Sequence, residues 1–117
     1  MKRPLEVLLG GPATGRQLLQ MAEEAYRERG SPMSENQREA FKVLLVDAAM
    51  GRLYLPVYKG EPAGFVSLFF RASVLEGGRL APFEDVFLRP RFRGLGLAQR
   101  IMRSVVGHLE AFLLVAV

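Results

Sequence analysis

The chain of 117 residues has no cysteine and a single histidine. The first absence excludes disulfides, thiolate catalysis and cysteine-ligated metals. The second removes the usual histidine framework of a zinc site. No apolar run reaches the ~18 residues that a membrane span requires. Behind the charged start Met1-Lys2-Arg3-Pro4, the apolar segment runs only from Leu5 to Leu9, too short for a signal peptide. Internal repeats and low-complexity tracts are also lacking. The expectation from these absences is a soluble cytoplasmic protein.

Half of the residues are hydrophobic (50%), which is too many for a disordered chain. The length suits one domain over residues 1–117, with a real core. The charge balance is basic, 16 Lys and Arg against 12 Asp and Glu. Arg89, Arg91, Arg93, Arg100 and Arg103 crowd into one short region. Such a cluster favours an anionic ligand carrying phosphates.

Leu5 to Leu9 reads as a short strand. Thr14-x-x-Gln17 fits a capping box opening a helix to about Arg29, with Leu18, Leu19, Ala22, Ala25 and Tyr26 on its buried face. Gly30-Ser31-Pro32 ends it. Ser34-x-x-Gln37 is a second capping box, and Phe41, Leu44, Leu45 and Ala48 form the stripe of a second helix, with Gly51 as its C-terminal glycine. The period then changes to two. Leu53, Leu55 and Val57 make a strand in which Pro56 predicts an edge or a bulge. After the turn Lys59-Gly60-Glu61-Pro62, Ala63 to Phe70 returns as the second strand of a hairpin. Residues 71–82 read as a surface loop and Phe83 to Leu88 as the next strand. A helix from about Leu95 to Leu109 follows, with Leu97, Ile101, Met102, Val105 and Leu109 on one face. Ala111 to Val117 is apolar throughout, as in a strand buried on both sides. The order β-α-α-β-β-β-α-β, closing on a parallel strand–helix–strand unit from Phe83 to Val117, predicts an α+β fold. Helices would pack on both faces of a mixed central sheet.

The segment with most chemical content is Arg93-Gly94-Leu95-Gly96-Leu97-Ala98, which joins the strand ending at Leu88 to the last helix. Gly94 and Gly96 let an anion approach the main chain, and the helix start turns free N–H groups and a positive dipole end toward it. A rival loop, Gly10 to Gln17, has glycines spaced like a phosphate loop. It carries Arg16 and Gln17 where nucleotide hydrolysis needs a lysine and a Ser/Thr hydroxyl, so it is read as a helix start.

Arg93-x-x-Gly96-x-Ala98 resembles the acyl-CoA signature of the GNAT superfamily of N-acetyltransferases, Arg/Gln-x-x-Gly-x-Gly/Ala. Phe83-Glu84-Asp85-Val86-Phe87-Leu88-Arg89-Pro90 resembles the Leu-Glu-Asp-Leu-Phe-Val-x-Pro stretch of its spermidine/spermine and thialysine acetyltransferase branch. The resemblance implies a GNAT-like acyl-CoA N-acyltransferase fold that is short at its C-terminus, without the usual last helix and two strands. It also implies acetyl-CoA as cosubstrate, no metal, and acetyl transfer to a primary amine within a ternary complex. Arg93, Gly94, Leu95, Gly96, Leu97, Ala98 and Gln99 would hold the pyrophosphate. The backbone of Val86, Phe87 and Leu88 would pair with the pantetheine arm.

Glu84 is the candidate general base, with an ion-paired carboxylate as the alternative because Arg71, Arg79 and Arg89 could lie near. By the period of two, Asp85 should face the other way. Tyr26, Tyr54 and Tyr58 read as pocket-lining groups, as replacements for the family's C-terminal tyrosine acid or, more simply, as packing residues, and His108 reads as structural. Glu84-Asp85 leans toward a polyamine or lysine-like acceptor, while the basic net charge leans against polycations, and a protein N-terminus, an amino acid or an aminoglycoside stay open as small-molecule or peptide amine substrates. The competing functions are a non-catalytic or partner-completed acyl-CoA-binding module and a basic nucleic-acid-binding domain. Phe92 alone interleaves with the arginines, so no nucleic-acid partner is expected. A bare last strand would favour a homodimer.

Overall fold

The computed structural model describes residues 4–110 and the short strand at 115–116. Strand β1 (Leu5–Leu9) leads through a single 3-10 turn (Pro12–Thr14) into α1 (Gly15–Glu28), followed by α2 (Glu35–Val46). Ser34 caps α2 as its sequence implies: Gln37 N–H donates to Ser34 Oγ at 3.1 Å, and Ser34 N–H donates to Gln37 Oε1 at 2.9 Å. Thr14 does not form the expected box. Its hydroxyl turns back to Gly11, accepting from Gly11 N at 3.0 Å and donating to Gly11 O at 3.1 Å. Pro12 initiates the extra turn, so the hydroxyl closes that turn instead of capping α1.

Strand β2 (Gly51–Tyr58) pairs antiparallel with β1 on one side and with β4 (Gly64–Phe69) on the other. Gly51 is therefore a strand residue and not a helix cap. A Cβ there would lie 2.3 Å from the Leu68 carbonyl oxygen, so close strand contact explains the glycine. Helix α2 ends earlier, at Val46, and Ala48 lies beyond it, exposed. Pro56 meets its bulge. Between Tyr54↔Val66 and Val57↔Pro62 the return strand gains one residue, and Ala63 N–H donates to Pro56 O at 2.9 Å. Strand β3 (Glu61–Pro62) is the first piece of that return strand.

Residues 71–82 form a second hairpin instead of a loop, with β5 (Arg71–Ser73) against β6 (Gly78–Ala81). Its strands are too short to show any period, and Gly77-Gly78 masks the pairing. After Pro82 comes β7 (Phe83–Leu88), which pairs antiparallel with β4. Helix α3 (Leu97–Glu110) then crosses to β8 (Val115–Ala116). β8 runs parallel to β6 (Leu80↔Val115, Ala81↔Ala116) and not to β7, which corrects the strand–helix–strand unit expected from Phe83 onward. Proline cannot continue a ladder through its nitrogen. The long strand is thus divided at Pro82, and no strand among the described residues pairs with the outer edge of β7. The rest of the expected strand over Ala111–Val117 lies outside the described residues.

The sheet buries both faces. Leu53, Leu55, Phe65 and Phe87 meet Leu18, Met21, Ala22 and Ala25 of α1 and Phe41 of α2. Tyr54, Val66 and Leu68 meet Leu97, Ile101, Val105 and Leu109 of α3. Alternation along β2 and β4 assigns successive residues to opposite cores. The result is an α+β sandwich, as the sequence predicts: helices cover both sides of the antiparallel sheet β1-β2-β4-β7, and the one parallel pairing lies in the smaller sheet β5-β6-β8.

Candidate active site

The glycine loop lies where the free edge of β7 meets the start of α3. Pro90–Phe92 forms one 3-10 turn whose Phe92 is buried edge-on against Tyr58, with ring centres 6.2 Å apart. Gly94 and Gly96 take φ values of +79° and +72°, a region that side chains rarely adopt. A Cβ at either would meet no atom within 4 Å. The glycines therefore serve the backbone path, and the space they leave is open. Helix α3 begins at Leu97, whose buried side chain anchors the first turn, and the first-turn N–H groups have no partner within the helix.

Two adjoining cavities follow this path. One, of about 310 Å³, is lined by Ala25, Glu28, Arg29, Val86, Phe87, Leu88, Arg93 and Ala98. The other, of about 390 Å³, is lined by Leu88, Arg93, Gly94, Gly96, Leu97, Ala98 and Gln99. Leu88, Arg93 and Ala98 border both. Of the residues predicted to bind the cosubstrate, only Leu95 lines neither, and its side chain is exposed. An apolar arm along β7 with an anion at the helix start fits this space and its donors.

The arginines here act mainly on the protein itself. Arg93 donates from Nε to Leu88 O at 2.9 Å and from one terminal nitrogen to both Glu28 oxygens at 2.8 Å. Arg89 grips Glu24 with two bonds of 2.9 and 2.8 Å and reaches Pro62 O at 3.2 Å. Hydrogen bonding to Glu24 holds the Arg89 guanidinium above its ordinary value. Arg91 pairs with Glu61. Three of the clustered arginines thus clamp the loop to α1 and to the hairpin, which weakens their reading as free anion receptors. Sequence reasoning missed Glu24 and Glu28. Their spacing of four puts both on one face of α1, a signal that becomes legible once an arginine cluster needs partners.

Glu84 and Asp85 depart most from expectation. Ser67 opposes Asp85 while Leu68 opposes Phe83, so Glu84 is an extra residue at a β-bulge. The bulge breaks the alternation that should separate the two carboxylates, and both line one cavity of about 450 Å³. Asp85 is ion-paired with Arg29, the C-cap of α1, and this bond raises the Arg29 pKa. Glu84 is exposed, and its carboxylate has no hydrogen bond or ion pair among the described residues. None of Arg71, Arg79 and Arg89 pairs with it: Arg79 bonds Ala49 O at 3.2 Å and Arg89 takes Glu24.

The tyrosines separate. Tyr26 lines the cavity of Glu84. Tyr58 packs on Phe92. Tyr54, 2% exposed in the core beneath α3, has its hydroxyl 2.5 Å from His108 Nδ1. Burial pushes its pKa up to about 12, partly offset by Arg52. The rival loop is a packing feature: a Cβ on Gly10 would lie 2.8 Å from Leu53 O. Among the described residues, no group of three or more His, Asp or Glu could hold a metal ion, and no helix is long and apolar enough to cross a membrane.

The model of the acetyltransferase (GNAT) family matches residues 16–116. No curated protein matches. Among solved structures, an integron cassette protein from the mobile metagenome of Cole Harbour Salt Marsh superposes with a TM-score of 0.85 at 27% identity, over 94% of this chain and 73% of that one. A ribosomal-protein-alanine N-acetyltransferase from Brucella melitensis biovar Abortus gives 0.75 at 16% identity, over 97% and 79%. An aminoglycoside N-acetyltransferase in complex with CoA gives 0.72 at 13% identity, over 97% and 76%.

Proposed function

We propose that this chain, which belongs to the acetyltransferase (GNAT) family, moves an acetyl group from acetyl-CoA to a primary amine by direct attack within a ternary complex. One observation carries the reading. The unpaired edge of β7 and the free N–H groups of α3 open onto two cavities that share Leu88, Arg93 and Ala98. Backbone groups of Val86, Phe87 and Leu88 would hold the pantetheine arm, and those from Gly94 to Gln99 the pyrophosphate. A β7 N–H group would also polarise the thioester carbonyl. Arg93 shapes the loop by tying it to Leu88 and Glu28.

Bound acetyl-CoA supplies an activated acyl group. The amine must first shed a proton, since its reference pKa is near ~10.4. Glu84 is suited to take that proton directly or through water, being free of any ion pair. The amine nitrogen then forms the new C–N bond, the C–S bond breaks as CoA leaves as thiolate, and the second nitrogen proton passes to that thiolate through solvent, giving the neutral amide and the CoA thiol. The absence of cysteine agrees with transfer that needs no thioester on the enzyme.

Calorimetric titration of acetyl-CoA into the 117-residue chain tests the cosubstrate site. Saturable one-to-one binding, weakened with CoA lacking its 3′-phosphate, is expected. Binding without turnover on any amine would favour an acyl-CoA-binding module instead. A folded chain that does not bind would remove the loop assignment.

A further inference from the structure

The acceptor cavity is built differently from what a Glu-Asp pair suggests in isolation. Two carboxylates side by side should attract a dication. Here the Asp85 carboxylate is only 16% exposed and is satisfied by Arg29. Arg29 also lies over the Tyr26 ring at 5.3 Å, which fixes its guanidinium beside the cavity. One net negative charge remains, on Glu84. The other polar side chains lining the space are Tyr26, Gln37 and Ser67, which is buried; most of the wall is apolar, from the buried Met33, Phe41 and Phe65. At the rim, Val43, Met50 and Phe69 stay 40%, 53% and 38% exposed. Large apolar side chains left in water around a cavity mark a place where an apolar ligand gains by burial.

We infer that the acceptor is a small monocation, a single primary ammonium carried on one apolar body, and not a polyamine. Resting on the acetyltransferase reading, this inference narrows the substrate class of the same site. The ammonium faces Glu84 at the bulge, and the apolar body lies against Phe41, Phe65 and Phe69. A second ammonium would find no free carboxylate in the cavity, because Arg29 already holds Asp85. Its desolvation against the apolar wall would go uncompensated. A volume of about 450 Å³ accommodates an aromatic or branched alkyl group with its short amine arm.

Ligand-observed NMR titration of the full chain with 2-phenylethylammonium and with spermidine, at equal ionic strength and without acetyl-CoA, tests this directly. The dissociation constant for 2-phenylethylammonium should be at least about tenfold lower, a 1.4 kcal/mol preference. Equal affinities, or tighter spermidine, would overturn the proposal. Two variants reverse the charge logic independently. Arg29→Gln releases the Asp85 carboxylate, and Met50→Glu adds a carboxylate at an exposed position of the rim. Each should shift the ratio of affinities toward spermidine by about three- to tenfold. If both folded variants leave the ratio unchanged, charge count does not set the selectivity and the proposal fails. Acetyl-CoA calorimetry reads the transferase assignment separately, so a failed amine preference with intact cosubstrate binding strikes only this inference.

Discussion

Glu84 and Asp85 are adjacent carboxylates with different fates. One inserted residue at the bulge puts both on the same cavity, and Arg29 then ion-pairs with one of them. Glu84→Gln keeps the side-chain shape but cannot act as a base. Turnover should fall about 10²-fold or more, within the usual range for a general base, while acetyl-CoA affinity measured by calorimetry stays unchanged. An unaltered rate would take Glu84 out of the mechanism. Gly96 is the complementary case, because its φ of +72° already penalises any side chain. Gly96→Glu adds a carboxylate to the space facing the free N–H groups and should weaken acetyl-CoA at least about 100-fold, since like charge and lost room act together. Tyr54 gives a pH signature. Its pKa in the folded chain is about 12 against an ordinary 10.0, so between those values the unfolded chain sheds the proton and the folded one keeps it. Stability from this group is full below pH 10 and is lost as pH rises toward 12. Denaturant melts of Tyr54→Phe should lack that alkaline component, although the variant starts lower through loss of the His108 contact.

Two glycines separate element-level causes. Gly64 opens β4 against β7, where a Cβ would fall 1.8 Å from the Phe87 carbonyl oxygen. Gly64→Ala must push apart the strands that carry the site, and should cost roughly 3 kcal/mol or more. Gly107 lies in α3, where a Cβ would meet nothing within 4 Å. Gly107→Ala should therefore add about 0.5–1 kcal/mol through helix propensity alone. Urea melts of the two variants check both signs. The same contrast explains which elements were legible. The helix stripes of α1 and α3, the Ser34 cap and the alternation of β2 are local patterns, and they read correctly from sequence. Gly51 read as a cap because glycine has several uses. Its true role depends on Leu68, which is distant in the chain but close in space. The hairpin at 71–81 was hidden because three- and four-residue strands carry no period. The residues lining the two glycine-loop cavities were readable because their spacing is contiguous, whereas Glu24, Glu28 and Arg29 enter from α1 only through tertiary packing.

At the scale of the whole molecule, the two cavities of the glycine loop lie where the two cores of the sandwich meet. Ala25 and Phe87 belong to the core under α1 and α2, while Leu97 belongs to the core under α3. All three line these cavities. Between the layers, the loop is held by the Arg89–Glu24 and Arg93–Glu28 pairs, whose side chains are partly exposed, so each contributes only modestly. A ligand contacting β7 and the start of α3 together would add a stronger link between the layers than those pairs provide. At a concentration of a hundredfold its dissociation constant, acetyl-CoA should stabilise the fold by ~2.7 kcal/mol. For a domain of this size, that corresponds to a rise in Tm of roughly 10 °C. Amide exchange should slow both in residues 97–100 and along β7, because one ligand bridges them. Gly96→Glu should melt near the unliganded parent and show neither effect. A Tm shift accompanied by slowed exchange in β7 alone, with unchanged exchange at the start of α3, would place the anion somewhere other than the glycine loop. The arginines between 89 and 93 would then be its next candidates, although each must first leave the glutamate that holds it.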